Sequence, residues 1–339
     1  MSQPRTYKFY FVLLLLVLLA LILVNISFGS VTIPLKSTMT ILFNGEITNE
    51  SWHYIIWNSR IPKAITAVLV GGGLSLSGLL MQTLFRNPLA GPFVLGISSG
   101  ASLGAAILIM GASLFSFNIF NDTSLALASS IGSFLVLLAV LSVAMKVKDT
   151  MSLLIIGLMF GSITGAIVSV LSYFTTADKL KQYIYWSFGS LGDLSWSQLA
   201  LLGAVVFIGI LLSILSIKPL NALLLGENYA QSLGVELKKS RLILIIATGL
   251  LAGTITAFAG PIAFIGLAVP HLTRQIFNTT DHKILVPAVL VYGAILMLIC
   301  DTIAQLPGSA SVLPINAITS IIGAPVVIWL LVRKRKMVF

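Results

Sequence analysis

Residues of the types that carry out chemistry are few in this sequence and widely scattered. Its three histidines, His53, His271 and His282, are far apart, and none takes part in the H-E-x-x-H pattern of a zinc site. The G-x-x-x-x-G-K-[ST] pattern of a phosphate-binding loop is missing, and the glycines at 71–73 lie inside an apolar run, not after a strand. We therefore predict that the chain is not an enzyme, with no catalytic residues, no metal and no cofactor of its own.

Ionisable residues are almost absent from the middle of the long apolar runs. Proton relays and ion-coupled carriers usually need such residues within the membrane. The nearest candidate is Asp301, towards the end of one run. An ion-coupled secondary carrier would depend on that carboxylate and is kept as the alternative, but the pattern favours transport driven from outside this chain.

The elements that position the remaining polar residues must be embedded in a membrane. Of the 339 residues, 58% are hydrophobic and 9% are charged, whereas about a quarter are charged in a soluble globular domain. The net charge of +10 is typical of cytoplasmic loops in a membrane protein. It does not indicate nucleic-acid binding, because no basic run is interleaved with stacking aromatic residues.

Apolar runs of about twenty residues can each cross the hydrocarbon core, and ten such runs occur along the chain. They cover residues 9–28, 62–84, 93–112, 124–145, 151–174, 196–217, 242–260, 261–277, 284–304 and 315–332. The sequence thus predicts an all-α polytopic membrane bundle of ten transmembrane helices, forming a single domain over residues 1–339. The stretch 242–277 also allows one helix bent at Gly260–Pro261, which would leave nine spans.

The positive charges favour ten spans with both termini in the cytoplasm. In that arrangement the inner face receives Arg5, Lys8, Arg86, Lys146, Lys148, Lys218, Lys238, Lys239, Arg241, Arg274, Lys283 and residues 333–336. The outer face receives only Lys36, Arg60, Lys63, Lys179 and Lys181. This asymmetry follows the positive-inside rule, whereas nine spans would place residues 333–336 outside.

Small residues recur at four-residue spacing in the fifth run, where Gly157, Gly161 and Gly165 share one helix face. Glycine lets helix backbones approach closely in a membrane. We expect this face to pack against a neighbouring helix. Packing within the chain, a seam between two copies and a pathway wall are all compatible with the pattern.

The longest predicted cytoplasmic connection covers about residues 218–241. Gly226 and Gly234 divide it into short amphipathic pieces, of which the middle one presents Tyr229, Ala230 and Leu233 at helical spacing. An apolar face outside the bilayer must be covered. The bundle itself, the membrane surface or a partner protein could cover it.

Several blocks of sequence, in a fixed order, resemble one family of transport proteins. The first block is residues 85–104, and its signature positions are Arg86, Asn87, Pro88, Leu89, Ala90, Gly91, Gly96 and Gly100. Residues 224–235, 264–274, 281–283 and 313–325 continue the match. Together they look like the permease subunit of type II, binding-protein-dependent ABC importers for iron–siderophore complexes, haem or cobalamin.

The resemblance implies a ten-helix permease of the inner membrane, surrounded by lipid, that works as a homodimer with the substrate pathway between two copies. Two cytoplasmic ATPase subunits would dock on the loop between the sixth and seventh helices. The matching residues here are Gly226, Glu227, Gln231, Leu233 and Gly234.

A periplasmic or lipoprotein substrate-binding protein would dock on the outer face, and the matching cations are Arg60 and Lys63. Snorkelling to lipid headgroups is the other explanation for these two residues. The chain departs from its cobalamin-importing relatives at Lys63 and Gln305, where they carry arginine. It also departs at Val312, where the family commonly carries an acidic residue. These residues do not identify the substrate.

Overall fold

The computed structural model describes residues 4–29, 31–43, 49–111, 122–147, 150–192, 194–305 and 311–332. Within these ranges every regular element is helical. This agrees with the predicted all-α class, because a helix satisfies its own backbone hydrogen bonds and needs no water to do so. Lys148 and residues 333–336, which contributed to the predicted charge asymmetry, lie outside the described residues.

The helices are numbered here in chain order. They are α1 Pro4–Ser27, α2 Leu35–Leu42, α3 Glu50–Ile55, α4 Ile61–Leu84, α5 Ile97–Ala106, α6 Asp122–Ala144, α7 Thr150–Phe174, α8 Ala177–Ser187, α9 Trp196–Leu215, α10 Ile217–Leu224, α11 Glu227–Ser232, α12 Leu237–Thr248, α13 Thr254–Ala259, α14 Ile265–Phe277, α15 His282–Ala304 and α16 Ile315–Val332. Wider π turns at Ile56–Arg60, Ile107–Gly111 and Gly249–Gly253 adjoin or join helices, and Pro92–Leu95 forms a 3₁₀ turn.

The predicted spans correspond closely to the observed helices. Among the described residues, 7 helices are long and apolar enough to cross a membrane. Ile97–Gly111 and Ile315–Trp329 are shorter apolar helices, and α14 has only 13 residues. The structure is therefore a polytopic helical bundle, and the count of ten spans stays a prediction.

The stretch 242–277 forms two segments separated by an irregular break. The backbone has positive φ at Gly260 (74°) and at Phe264 (66°), so the helix that ends at Ala259 cannot continue. The following helix α14 runs alongside α4 in the same direction, since Gly266 lies against Gly78 and Arg274 donates to Gln82. One bent helix is therefore not what the chain forms.

The two ends of the bundle are defined by the connections that meet there. At the loop end, α10 contacts the start of α15 through Asn221 and Asp281. The aromatic ring of Tyr10, in the first helix, packs on Phe277 at the same end. At the opposite end the indole of Trp196 donates to the carbonyl oxygen of Trp57. We call this the outer end, because the positive-inside rule predicts that it faces outward.

Helix α4 lies at the centre of the bundle. Every residue from Val70 to Leu84 is buried, as expected for a largely apolar helix that other helices surround. Its glycines allow backbone contact with two neighbours. A Cβ on Gly78 would overlap the carbonyl oxygen of Gly266, and a Cβ on Gly71 would overlap that of Gly293. The glycine-rich segment of this run is therefore a packing surface.

We predict that Gly78→Ala destabilises the bundle, because the added methyl group forces α4 and α14 apart. Overpacking of this kind costs about 1–3 kcal/mol. The control is Gly165→Ala in α7, where nothing in the described chain lies within 4 Å of the added carbon. That change should be neutral or slightly stabilising, since alanine favours a helix by up to about 1 kcal/mol over glycine. Thermal unfolding in detergent measures both, and equal midpoints would contradict the prediction.

Candidate functional site

The connection over residues 218–241 forms a helical hairpin at the loop end. Positive φ at Gly226 (106°) and Gly234 (82°) ends α10 and α11 in turn. Leu220 and Ala230 are fully buried, so one side of the hairpin is fixed to the bundle. The glycines matter here because other residues rarely adopt these backbone angles.

The other side of the hairpin carries apolar side chains that no other described part of the chain covers. Leu225 is 62% exposed, Tyr229 56% and Leu233 59%. Gln231 and Gly234 are exposed beside them. The sequence allows the bundle, the membrane surface or a partner protein to cover the apolar face of this loop. The bundle covers only part of that face. The remaining apolar surface projects from a structured base.

The polar part of this surface joins two blocks that are distant in the sequence. Glu227 forms an ion pair with Arg241, with 2.7 Å between Oε1 and Nη2. Arg86, from the signature segment, lines the same open cavity as Gly226, Glu227 and Tyr229. The sequence indicates only that Arg86 belongs to the signature segment, and no local pattern predicts that it lies against the loop.

The first part of the signature segment is a compact turn after α4. Arg86 has a positive φ of 46°, and the Asn87 side chain accepts a hydrogen bond from the Leu89 backbone at 2.9 Å. The carbonyl oxygen of Pro88 accepts from His271 Nε2 at 2.8 Å. Ala90 is fully buried. The turn is thus tied to α14 and held beside the loop hairpin.

The second part of the signature packs against α6 and α7. Gly91 is extended and leads into the 3₁₀ turn, which ends at Gly96 with φ of 70°. A Cβ on Gly96 would lie 2.7 Å from the carbonyl oxygen of Gly157, and one on Gly100 would lie 2.6 Å from that of Gly132. Gly96 and Gly100 therefore allow the backbone of this segment to contact the backbones of α7 and α6 directly.

The glycine stripe of α7 divides along its length. A Cβ on Gly157 would overlap the carbonyl oxygen of Val94, and Gly161 lies against Ser99. Gly165, one turn further, has nothing within 4 Å among the described residues. The first two glycines thus receive the signature segment, whereas the third faces away from the chain's own packing.

Arg60, one of the two expected docking cations, is only 7% exposed. Its guanidinium donates to the carbonyl oxygens of Ile26 and Ser27, each at 2.7 Å, and to that of Val31. Carbonyl groups at a helix C-terminus lack partners within the helix. Arg60 therefore closes the end of α1.

Lys63, the other expected docking cation, forms an ion pair with Asp301 at 3.1 Å. The same carboxylate accepts from Asn25 at 2.8 Å and from Gln305 at 2.7 Å. This polar cluster joins the outer ends of α1, α4 and α15. We name it the outer cluster: Asn25, Lys63, Asp301 and Gln305. The sequence alone does not indicate this cluster, because there Asp301 is only a possible carrier carboxylate and Gln305 stands where cobalamin-importing relatives carry arginine.

Contacts within the chain engage both expected docking cations. Arg60 and Lys63 are not free outer-face cations, because each has partners within the chain. Asp301 is not an isolated carboxylate either. An effect of changing any of these residues would first reflect the loss of those contacts.

The described residues contain no group of three or more His, Cys, Asp or Glu side chains that could hold a metal ion. His271 and His282 are bonded to Pro88 and Asn221 respectively. The buried charged and titratable side chains Arg60, Arg241, Arg274, His282 and Asp301 lie near the two ends of the bundle. The described residues thus form a bundle interior of low charge, with charged and exposed surfaces at its ends.

The chain is similar in sequence to curated transport proteins. It is 40% identical over 291 residues to the vitamin B12 import system permease protein BtuC of Klebsiella pneumoniae subsp. pneumoniae, covering 86% of each chain. It is 39% identical over 283 residues to the BtuC protein of Salmonella typhi, covering 83% of this chain and 84% of that one.

Its fold is also similar to that of a solved structure, described as a metal-chelate type ABC transporter in an inward-facing conformation. The TM-score is 0.83 at 28% identity, over 98% of this chain and 100% of the other. The model of the FecCD transport family matches residues 15–333. The chain therefore belongs to the FecCD transport family and is a membrane-embedded, multi-pass permease of the type II ABC importer class.

Proposed function

We propose that this permease passes a bulky metal chelate, such as an iron–siderophore complex, haem or cobalamin, inward across the inner membrane. Two copies form the pathway between them, and ATP hydrolysis on two cytoplasmic ATPase subunits drives transport. A substrate-binding protein delivers the substrate at the outer end. Ten spans with both termini in the cytoplasm belong to the same proposal.

The observation that carries the proposal is the uncovered surface of the loop hairpin. Leu225, Tyr229 and Leu233 are exposed on a base that the buried Leu220 and Ala230 hold in place. A partner that docks there could move the hairpin as a unit. Within a permease of this class, that partner would be the ATPase, and the residues that contact it would be Gly226, Glu227, Gln231, Leu233 and Gly234.

The low charge inside the bundle supports a bulky substrate that is released rather than held. Fixed charges inside a membrane protein usually mark ion pathways, and those described here lie near the ends. The relatives are named as a vitamin B12 permease and a metal-chelate transporter, and both names fit a metal chelate as the substrate. Cobalamin and an iron chelate are equally consistent with these names.

The alternative, an ion-coupled secondary carrier, has lost its best candidate residue. Asp301 shares its charge with Lys63 and accepts two further hydrogen bonds. These contacts give Asp301 a structural role at the end of α15, so an ion-binding role is not needed to explain its position. Nothing in the described residues specifically favours this alternative.

We predict that uptake requires ATP and the partner ATPase. The chain should be reconstituted with its ATPase and binding protein and supplied with radiolabelled cobalamin, a ferric siderophore or haem. One of these substrates should accumulate with ATP and not with ADP, and collapsing proton and sodium gradients should leave uptake unchanged. Uphill uptake by the chain alone from an ion gradient would refute the proposal.

We also predict that Leu233→Asp weakens binding of the ATPase. Truncating or charging an anchor at the centre of an interface typically costs about 2 kcal/mol, or roughly thirtyfold in affinity. Leu233→Met is the matched control, because it keeps an apolar side chain of similar size and should bind nearly as wild type. Co-purification and titration of the ATPase measure the effect, and equal affinity for all three forms would remove Leu233 from the interface.

The contacts in the outer cluster let the role of Lys63 in stability be measured separately from any role in docking. Asp301→Asn alone should lower stability by about 3–5 kcal/mol, because it leaves a largely buried ammonium group without its partner. Lys63→Gln with Asp301→Asn keeps a hydrogen bond and should recover most of that loss. The unfolding midpoint in detergent measures both forms.

Comparing this double variant with Asp301→Asn decides between the two roles of Lys63, because the two differ only in the Lys63 charge. If the cation attracts an acidic binding protein, docking should be weaker in the double variant than in Asp301→Asn, and more so at low salt, where surface charge is less screened. Equal docking by the two variants would restrict Lys63 to its contact with Asp301. Binding of the purified binding protein to nanodiscs measures this.

A further inference from the structure

A chain of hydrogen bonds at the loop end connects the hairpin to the centre of the bundle. It starts at Asn221 in α10, whose side-chain amide donates to Asp281 Oδ1 at 2.7 Å. The Asn221 side-chain oxygen accepts from the backbone of His282 at 2.9 Å and lies 2.7 Å from His282 Nδ1. One side chain of the hairpin thus holds two consecutive residues at the start of α15.

The chain continues through the imidazole of His282, which is fully buried. Its Nε2 lies 2.9 Å from Thr83 Oγ1 in α4. The Asn221 oxygen can only accept, so Nδ1 carries a proton, and in the neutral ring Nε2 is then an acceptor. The Thr83 hydroxyl therefore donates to Nε2 in place of the Leu79 carbonyl oxygen, which is also 2.9 Å away.

Asp281 fixes the orientation of the Asn221 amide, and so the direction of the hydrogen bonds that follow it. Its carboxylate accepts from the Lys283 backbone at 3.0 Å and so caps α15. Burial raises the pKa of Asp281, but hydrogen bonds from Lys283 and Asn221 and the charge of Lys283 lower it more, and the net pKa is below its usual value. An ionised carboxylate only accepts, so the Asn221 amide must present its NH2 group to it.

The other contacts between α10 and the bundle are of a different kind. Leu220, Ala222 and Leu223 are buried apolar residues, and such contacts are non-directional. Buried hydrogen bonds have fixed geometry and are costly to break. When α10 moves, its apolar residues can shift over their neighbours, whereas Asn221 must carry the start of α15 with it or lose several bonds.

The hydrogen bonds from Asn221 and His282 hold α15 and α4, and both of these helices extend through the bundle. Helices α4 and α15 meet backbone to backbone where Gly71 lies against Gly293. The far end of α15 carries Asp301, which pairs with Lys63 of α4 in the outer cluster. The two helices are therefore joined at both ends and in the middle, and a displacement at His282 acts on the pair as one body.

We propose that Asn221 and His282 are positioning residues that pass movement of the 218–241 hairpin to the paired helices α4 and α15. This inference rests on the proposed function, in which an ATPase moves the hairpin. It assigns a role to residues outside the docking surface. Asn221 and His282 act through the helices they hold and need no contact with ATP or substrate.

The test exchanges the side chains of Asn221 and Asp281, the first pair in this series of hydrogen bonds. Asn221→Asp places a second carboxylate against Asp281 and should reduce ATP-driven uptake about tenfold, while the ATPase still binds and hydrolyses ATP. The double variant Asn221→Asp with Asp281→Asn removes the like-charge contact and restores an amide–carboxylate pair in the opposite order. Asp281 Oδ1 accepts from both the Asn221 amide and the Lys283 backbone, so the new amide that donates to the pair caps α15 less well. Uptake should therefore recover most of the loss, to within about threefold of wild type.

The matched control is Asn278→Asp, which adds the same charge at an exposed position of the loop end outside the hydrogen-bonded chain. It should leave both uptake and the ATP hydrolysed per substrate unchanged. A rise in ATP hydrolysed per substrate in Asn221→Asp, reversed by the exchange, is the signature of lost coupling, because a general loss of folded protein would not change that ratio.

Four outcomes separate the possibilities. Unchanged coupling in Asn221→Asp overturns the inference, as does loss of ATPase binding that the exchange does not restore. The unfolding midpoint of the isolated permease should fall in Asn221→Asp and recover in the exchange, and a midpoint that does not fall also overturns it. If wild type itself shows no ATP-driven uptake while the midpoints behave as expected, the proposed function has failed and the hydrogen-bonded chain stands without its role in coupling.

Discussion

Backbone contact between helices is the constraint on which the rest of this structure depends. Apolar side chains gain little by leaving lipid for each other, so a membrane bundle is held by close packing and by polar contacts. Helix α4 meets α15 at Gly71 and α14 at Gly78, and in both places a single added carbon would overlap a carbonyl oxygen. The signature segment meets α6 and α7 in the same manner at Gly96 and Gly100.

Polar contacts complete the assembly where the close packing ends. At the outer end, Asp301 gathers donors from α1, α4 and α15. At the loop end, Asn221 and His282 connect α10 with α15 and α4. Between these two sites the interior of the bundle has little charge. A permease built in this way can move its central helices as a pair, since their relative position is fixed at each end.

The loop hairpin can be predicted from the sequence in more detail than the contacts of Arg60 and Lys63 at the outer end. The loop hairpin could be located from its glycines and helical spacing, because Gly226 and Gly234 adopt the angles that such turns require. The sequence predicts that Arg60 and Lys63 are outer-face cations, and Lys63 lies at the end of α15 opposite the loop hairpin. Their partners are not predicted, since Ile26 and Asp301 are remote in sequence and carry no local signal of a contact.

The sequence by itself determined the membrane class, the extent of the apolar helices, the uneven distribution of positive charge and the family. These follow from the composition of consecutive residues, and hydropathy and charge are properties of a segment taken alone. The tertiary structure decided which glycines receive a neighbour, why Gly165 does not, and which polar side chains pair at each end. Those contacts join segments distant in the chain, and only the packing of whole helices brings Lys63 to Asp301 or Asn221 to His282.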